Sequence, residues 1–179
     1  MVTTKLRICG NSSFKAGKCV SLNDCLISGQ QYLNSIEGIL LRWRMAHKVA
    51  HGDIRHCYQK IQSDPHDMSL RRIFIKPNGM GSCFKTVSFG DGLGGSSAQL
   101  AIEDCSFRFM GVNTCRDLSD SIYMDDICLP LYDPAGDLSK MVEEVDAELK
   151  NANFEVKEWA ETGKTNKTLN FLSYSYNPM

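Results

Sequence analysis

Tyr123-Met124-Asp125-Asp126 sets two adjacent acids between strand-forming flanks that run from Ser121 to Leu131, and this pattern calls for a strand, a tight turn and a returning strand. Two carboxylates held at a turn suit a divalent cation. Without one, like charges roughly 4 Å apart repel by about 4 kcal/mol at an effective dielectric near 20, which is costly for a purely structural feature. The chemistry indicated is nucleotidyl transfer. By average residue usage a Tyr-x-Asp-Asp tetrad turns up in roughly one or two chains of this length per hundred, so its surroundings must decide.

A chain of 179 residues with 42% apolar content can bury one good core, and one compact unit is expected. The net charge of −1 excludes a global basic field, so any contact with nucleic acid must be local. Eight cysteines, at positions 9, 19, 25, 57, 83, 105, 115 and 128, form no C-x-x-C pair. With no secretory signal and no apolar run long enough for a bilayer, reduced thiols, an intracellular setting and no membrane partner are expected.

The first thirty residues are broken by Gly10-Asn11-Ser12-Ser13 and Lys15-Ala16-Gly17-Lys18 and read as loops and short strands. Leu33, Ile36, Leu40 and Trp43 recur at helical steps and predict a helix to Arg44. A strand follows from Lys48 to Ile54. Arg72 to Lys76 and Cys83 to Val87 flank Pro77-Asn78-Gly79 and predict a β-hairpin. Ser96 or Ser97 can cap a helix through Leu100, Ile102 and Cys105, with Gly111 ending it as a left-handed residue. Leu138, Met141, Val142, Val145 and Leu149 predict a helix over 137–151, and strands are expected over Phe154 to Trp159 and Thr168 to Tyr174. Together these elements predict an α+β domain, with helices packed on an antiparallel sheet.

A second acid closes the pattern. His51-Gly52-Asp53-Ile54 puts Asp53 at the end of a predicted strand, with Tyr58 five residues on. Two-metal transfer needs carboxylates from more than one segment, with ions about 3.5–4 Å apart that steady the phosphoryl group in flight. Asp53 and Asp125 are the natural bridging pair. The competing readings are an ordinary strand-end aspartate for Asp53 and a core aromatic for Tyr58.

With these residues in order, the chain resembles the reverse transcriptases of Bel/Pao long-terminal-repeat retrotransposons. Arg7-Ile8-Cys9-Gly10-Asn11-Ser12-Ser13 resembles that family's early finger motif, and Val20-Ser21-Leu22-Asn23-Asp24-Cys25-Leu26 with Gly29 resembles its Ser-Leu-Asn-Asp signature. Asp53-Ile54 through Tyr58 is similar to polymerase motif A, Val87-Ser88-Phe89-Gly90 through Ala98-Gln99 to motif B, and the Tyr123 tetrad to motif C. Phe154 to Trp159 resembles motif D, and Thr168-Leu169 through Tyr174 the primer grip.

The resemblance implies a right-hand polymerase palm with fingers, the fingers roughly 1–44 and 67–90 and the palm roughly 45–66 and 91–179; because the chain stops at Met179, just past the primer-grip likeness, no thumb is expected. It implies two Mg²⁺ or Mn²⁺ ions on Asp53, Asp125 and Asp126 as catalytic acids, and dNTPs added to a primer on an RNA or DNA template. Arg7 is then expected on the triphosphate, Tyr58 beneath the incoming sugar as a steric gate, and Tyr123 and Met124 at the primer end or templating pair. The implied partners are a primer-template and the remainder of a polyprotein (thumb, ribonuclease H, integrase), in the cytoplasm, in virus-like particles or in the nucleus.

The sequence departs from the family pattern twice. Gly94-Gly95 stands where a small residue and a proline are usual, which is expected to loosen the helix entrance. Glu158 stands where a lysine usually precedes the tryptophan, with Lys157 one step early. A catalytically silent, truncated or domesticated relic that acts as a binding module or has no function is therefore a second expectation, and an RNA-directed RNA polymerase a third. Gly90-Asp91-Gly92-Leu93-Gly94-Gly95 also matches the dinucleotide-binding glycine pattern, but it falls halfway along the chain and is followed by a strand hairpin rather than a βαβ series.

Overall fold

The strand predicted from Lys48 is β1 (Lys48–Ile54), and in the computed structural model, which describes residues 10–27, 32–74, 81–109, 111–163, 169–171 and 174–176, it lies inside the main sheet. It pairs antiparallel with β5 (Asp126–Leu131) on one side and with β6 (Val156–Glu161) on the other, and β4 (Ile122–Tyr123) adds to the outside of β5. The fold is mixed α+β, with a four-stranded antiparallel sheet and six α-helices among the described residues.

Strand alternation divides the sheet into two faces. Ala50, Ile54, Ile127 and Leu129 point into the main core, closed by α4 (Gly94–Phe109), α5 (Val112–Ser119) and α6 (Leu138–Asn151). Val49 and Cys128 point the other way, under Ile39, Trp43 and Ala46 from α2 (Ile36–Met45) and its C-terminal cap. The helix α2 covers only one end of that second face. The other end carries Asp53 and Asp126.

Most predicted elements are present, with informative shifts. The first helix starts at Ile36 rather than Leu33, because the Ser35 hydroxyl accepts from the Gly38 N–H at 3.1 Å and sets the N-cap. Residues 10–27 contain no strand; instead Ser21 and Asp24 form a reciprocal capping box on the short α1 (Leu22–Cys25). The hairpin strands are β2 (Arg72–Phe74) and β3 (Gly81–Cys83), and their predicted Pro77-Asn78-Gly79 turn lies outside the described residues. Neither Ser96 nor Ser97 caps α4, which starts at Gly94. Gly111 is extended at φ −63°, not left-handed, and it caps the unpredicted α5. The single strand expected over Thr168 to Tyr174 is a pair, β7 (Leu169–Phe171) and β8 (Tyr174–Tyr176), with residues 172–173 outside the described residues.

Gly52 pairs with Trp159, whose indole N–H donates to Asp146 Oδ1 at 3.0 Å and so lays the ring across the glycine. A Cβ at position 52 would stand 2.8 Å from Val156 Cγ1 and 2.9 Å from Trp159 Cε3. Gly52→Ala should therefore destabilise the fold by about 1–3 kcal/mol, read as a lower urea midpoint at unchanged slope.

Candidate active site

Antiparallel register sets Asp53 directly across from Asp126, and their side chains share the face that α2 leaves open. Asp125 occupies the two-residue turn between β4 and β5. Its carbonyl accepts from the Ile54 N–H at 2.8 Å, which binds the turn to the end of β1. Met124 in that turn has φ 58°. A non-glycine residue costs roughly 1–2 kcal/mol in this left-handed region. The strain is sustained by ladder pairing on both sides and by the Ile54 bond.

The acids crowd one another. Burial first, then Asp126 and Asp53, push the Asp125 carboxyl above the usual carboxylate value. The Tyr58 phenol is raised to about 12 by burial, with Asp125 the largest charge acting on it. Cys57 is raised to about 12 by burial, then by Asp125 and Asp53, so its thiol stays protonated and serves as core. Two neighbours answer the remaining charge. His51 Nε2 lies 3.3 Å from Asp126 Oδ1, and Lys157 Nζ donates to both oxygens of Asp53, at 2.7 and 2.6 Å.

Tyr58 reaches this region because His56, at φ 53°, turns the chain out of β1 into the short α3 (Cys57–Lys60). Its ring meets Phe89 edge to face at 5.1 Å between centroids. Tyr58, Phe89, Met124 and the entrance of α4 line an open cavity of about 600 Å³. Gly95 serves close approach here, while at Gly94 a Cβ would meet its neighbours at ordinary contact distance. A Cβ on Gly94 would sit 3.4 Å from Tyr58 Cε1, and one on Gly95 3.2 Å from Met124 Cε.

The loop entering α4 is fixed from two directions. Asn23 Nδ2 donates to the Gly90 carbonyl at 3.1 Å, and its Oδ1 accepts from the Gly92 N–H at 2.9 Å. Arg71 donates from Nε and Nη2 to Asp91 Oδ2 at 3.0 and 2.8 Å. Gly90 is at φ +92°, against the Gly10 backbone. The glycine-rich run is thus a braced wall of the cavity, and it follows no strand of the main sheet.

Of the residues expected at the site, Asp53, Asp125, Asp126, Tyr58, Tyr123 and Met124 are brought to the ends of β1, β4 and β5 and the cavity beside them. Arg7 lies outside the described residues. The register pair is Asp53 with Asp126, while Asp125 sits above it in the turn. Sequence reasoning left His51 and Lys157 out of the site. The signal for Lys157 was Val156 and Trp159, two core-directed residues three apart in a strand, which marks an inserted residue.

Among the described residues no group of three or more His, Cys, Asp or Glu side chains is arranged to hold a metal ion. Asp53 is turned to Lys157 and Asp126 to His51. The donor chemistry does fit Mg²⁺ or Mn²⁺, since the acids offer hard carboxylate oxygens and the raised Asp125 marks crowding that a cation relieves. No helix among the described residues is long and apolar enough to cross a membrane. The chain matches no family model, and no curated protein matches it.

Proposed function

We propose that the chain is the fingers and palm of a reverse transcriptase of Bel/Pao type, an RNA-directed DNA polymerase that adds dNTPs to a primer 3′-hydroxyl with two Mg²⁺ or Mn²⁺ ions. The observation that carries this reading is the meeting of Asp53, Asp125 and Asp126 at adjacent strand ends, over a strained two-residue turn and beside an open cavity. Bound cations supply charge neutralisation at the triphosphate. The chain's own residues supply the frame: Asp53 and Asp125 offer oxygens, the Ile54 bond holds the turn, and Met124 and Tyr58 shape the cavity wall.

Tyr58 is the gate in this reading. Its ring meets Phe89 edge to face and lies beside the α4 entrance, which narrows the space for a sugar carrying a 2′-hydroxyl. The commitment of Asp53 to Lys157 and of Asp126 to His51 favours a second reading, a palm that binds nucleic acid without extending it.

Primer extension by the full chain on an RNA template with Mn²⁺ decides between the two. Template-directed dNTP incorporation is expected, and Tyr58→Val should relax discrimination against ribonucleotides by about 10–200-fold. Failure to incorporate, with primer-template still bound, would leave the silent palm. A wild-type preference for ribonucleotides would point instead to RNA-directed RNA synthesis.

A further inference from the structure

Opposite Asp53 the ladder slips. Gly52 pairs with Trp159 but Ile54 pairs with Val156, so Lys157 and Glu158 together face one residue of β1. Val156 and Trp159 both turn to the main core, and the two residues between them are exposed. The bulge thereby delivers Lys157 to Asp53, although the sequence sets it one step away from the usual lysine position. Its ammonium takes both carboxylate oxygens.

Two ion pairs of this chain contrast sharply. Arg71 and Asp91 have side chains 14% and 1% exposed, and separating them would strand a buried charge. Lys157 and Asp53 are 44% and 40% exposed, so each can be rehydrated on separation at small cost. The second pair is therefore suited to exchange and the first is not.

Resting on the proposed metal-dependent reading, we infer that Lys157 is the built-in counter-ion of Asp53: it occupies both carboxylate oxygens, and a divalent cation binds there by displacing it. The lysine only changes partner. Metal affinity is thereby set below what the three acids alone would give, and the released ammonium becomes free for an anionic ligand.

The test uses the full chain, with Mn²⁺ alone as the probe. Mn²⁺ binding is followed by electron paramagnetic resonance for wild type, Lys157→Met and Lys157→Arg, and lysine acylation is mapped by mass spectrometry with and without Mg²⁺. Lys157→Met should bind Mn²⁺ about three- to tenfold more tightly than wild type, with Lys157→Arg close to wild type. Mg²⁺ should raise acylation of Lys157 severalfold while exposed Lys18 is unchanged. Metal binding with Lys157 acylation unmoved would overturn the exchange and leave the polymerase reading standing, even if Lys157→Met binds more tightly. No Mn²⁺ bound by wild type or Lys157→Met would overturn both.

Discussion

Arg71→Ala should cost about 3–5 kcal/mol of stability, a fall of roughly 6–20 °C in Tm for a chain of this size. The reason is the asymmetry of the pair. Asp91 has a side chain only 1% exposed, and Arg71 is the cation that compensates it, with both bonds converging on one oxygen. The other oxygen accepts from the Leu93 N–H at 3.2 Å, and the Asp91 carbonyl accepts from Gly94, so the carboxylate lies inside the turn that starts α4. Removing Asp91 leaves an arginine that can still reach water, and Asp91→Ala should be milder. Replacing both partners by apolar residues, Arg71→Met with Asp91→Leu, should recover much of the loss. Thermal melts of the three variants check the order; equal losses from both single changes would show that burial of the acid is not the governing cost.

Asp125→Asn should separate stability from activity. The folded Asp125 holds its proton more tightly than an aspartate at the ordinary value of 3.8, because burial and then Asp126 disfavour its charge. A carboxyl raised in the folded state lowers stability as pH rises through the window that begins near 3.8, since the folded chain then binds more protons than the unfolded one. Asparagine keeps the shape and drops the charge. At pH 7 the variant should gain up to about 1 kcal/mol after allowance for solvent screening, a rise of about 2–4 °C. At pH 3 the gain should vanish. The same change removes an oxygen ligand of the proposed centre, and incorporation should fall by about 10³-fold or more, the scale of lost transition-state charge stabilisation. Incorporation surviving at the wild-type rate would reject the assigned site. Unchanged stability at pH 7 would show that the turn already solvates its acid.

The gain and the loss share one cause. An acid crowded by two others and carried on a strained Met124 is poorly placed for folding alone. The same crowding makes it a good place for a cation.

Local patterns in the sequence determined much of this protein. Amphipathic spacing marked α2, α4 and α6 to within a few residues, because one stripe of each must be buried. The Tyr123 tetrad marked the β4–β5 turn, and the end of β1 was legible from Lys48 to Ile54. Chain-local patterns carry no information about partners, and there the reading failed. The helix α5 is only eight residues long, Val112–Ser119, too short for its spacing to stand out beside a Gly111 read as a helix end, and it is held by Cys115 and Leu118 against the core. The serines near α4 lost their expected capping role because the helix already starts at Gly94, after a loop that Asn23 and Arg71, far away in sequence, hold in place.

What only the tertiary structure decided is which charge meets which. Register between β1 and β5 brings Asp126 opposite Asp53, and a single inserted residue in β6 turns Lys157 onto that same acid. Side chains alternate faces with a period of two residues, so one residue of slip reverses every neighbour. That slip is a property of the assembled sheet and is written in no short stretch of the chain.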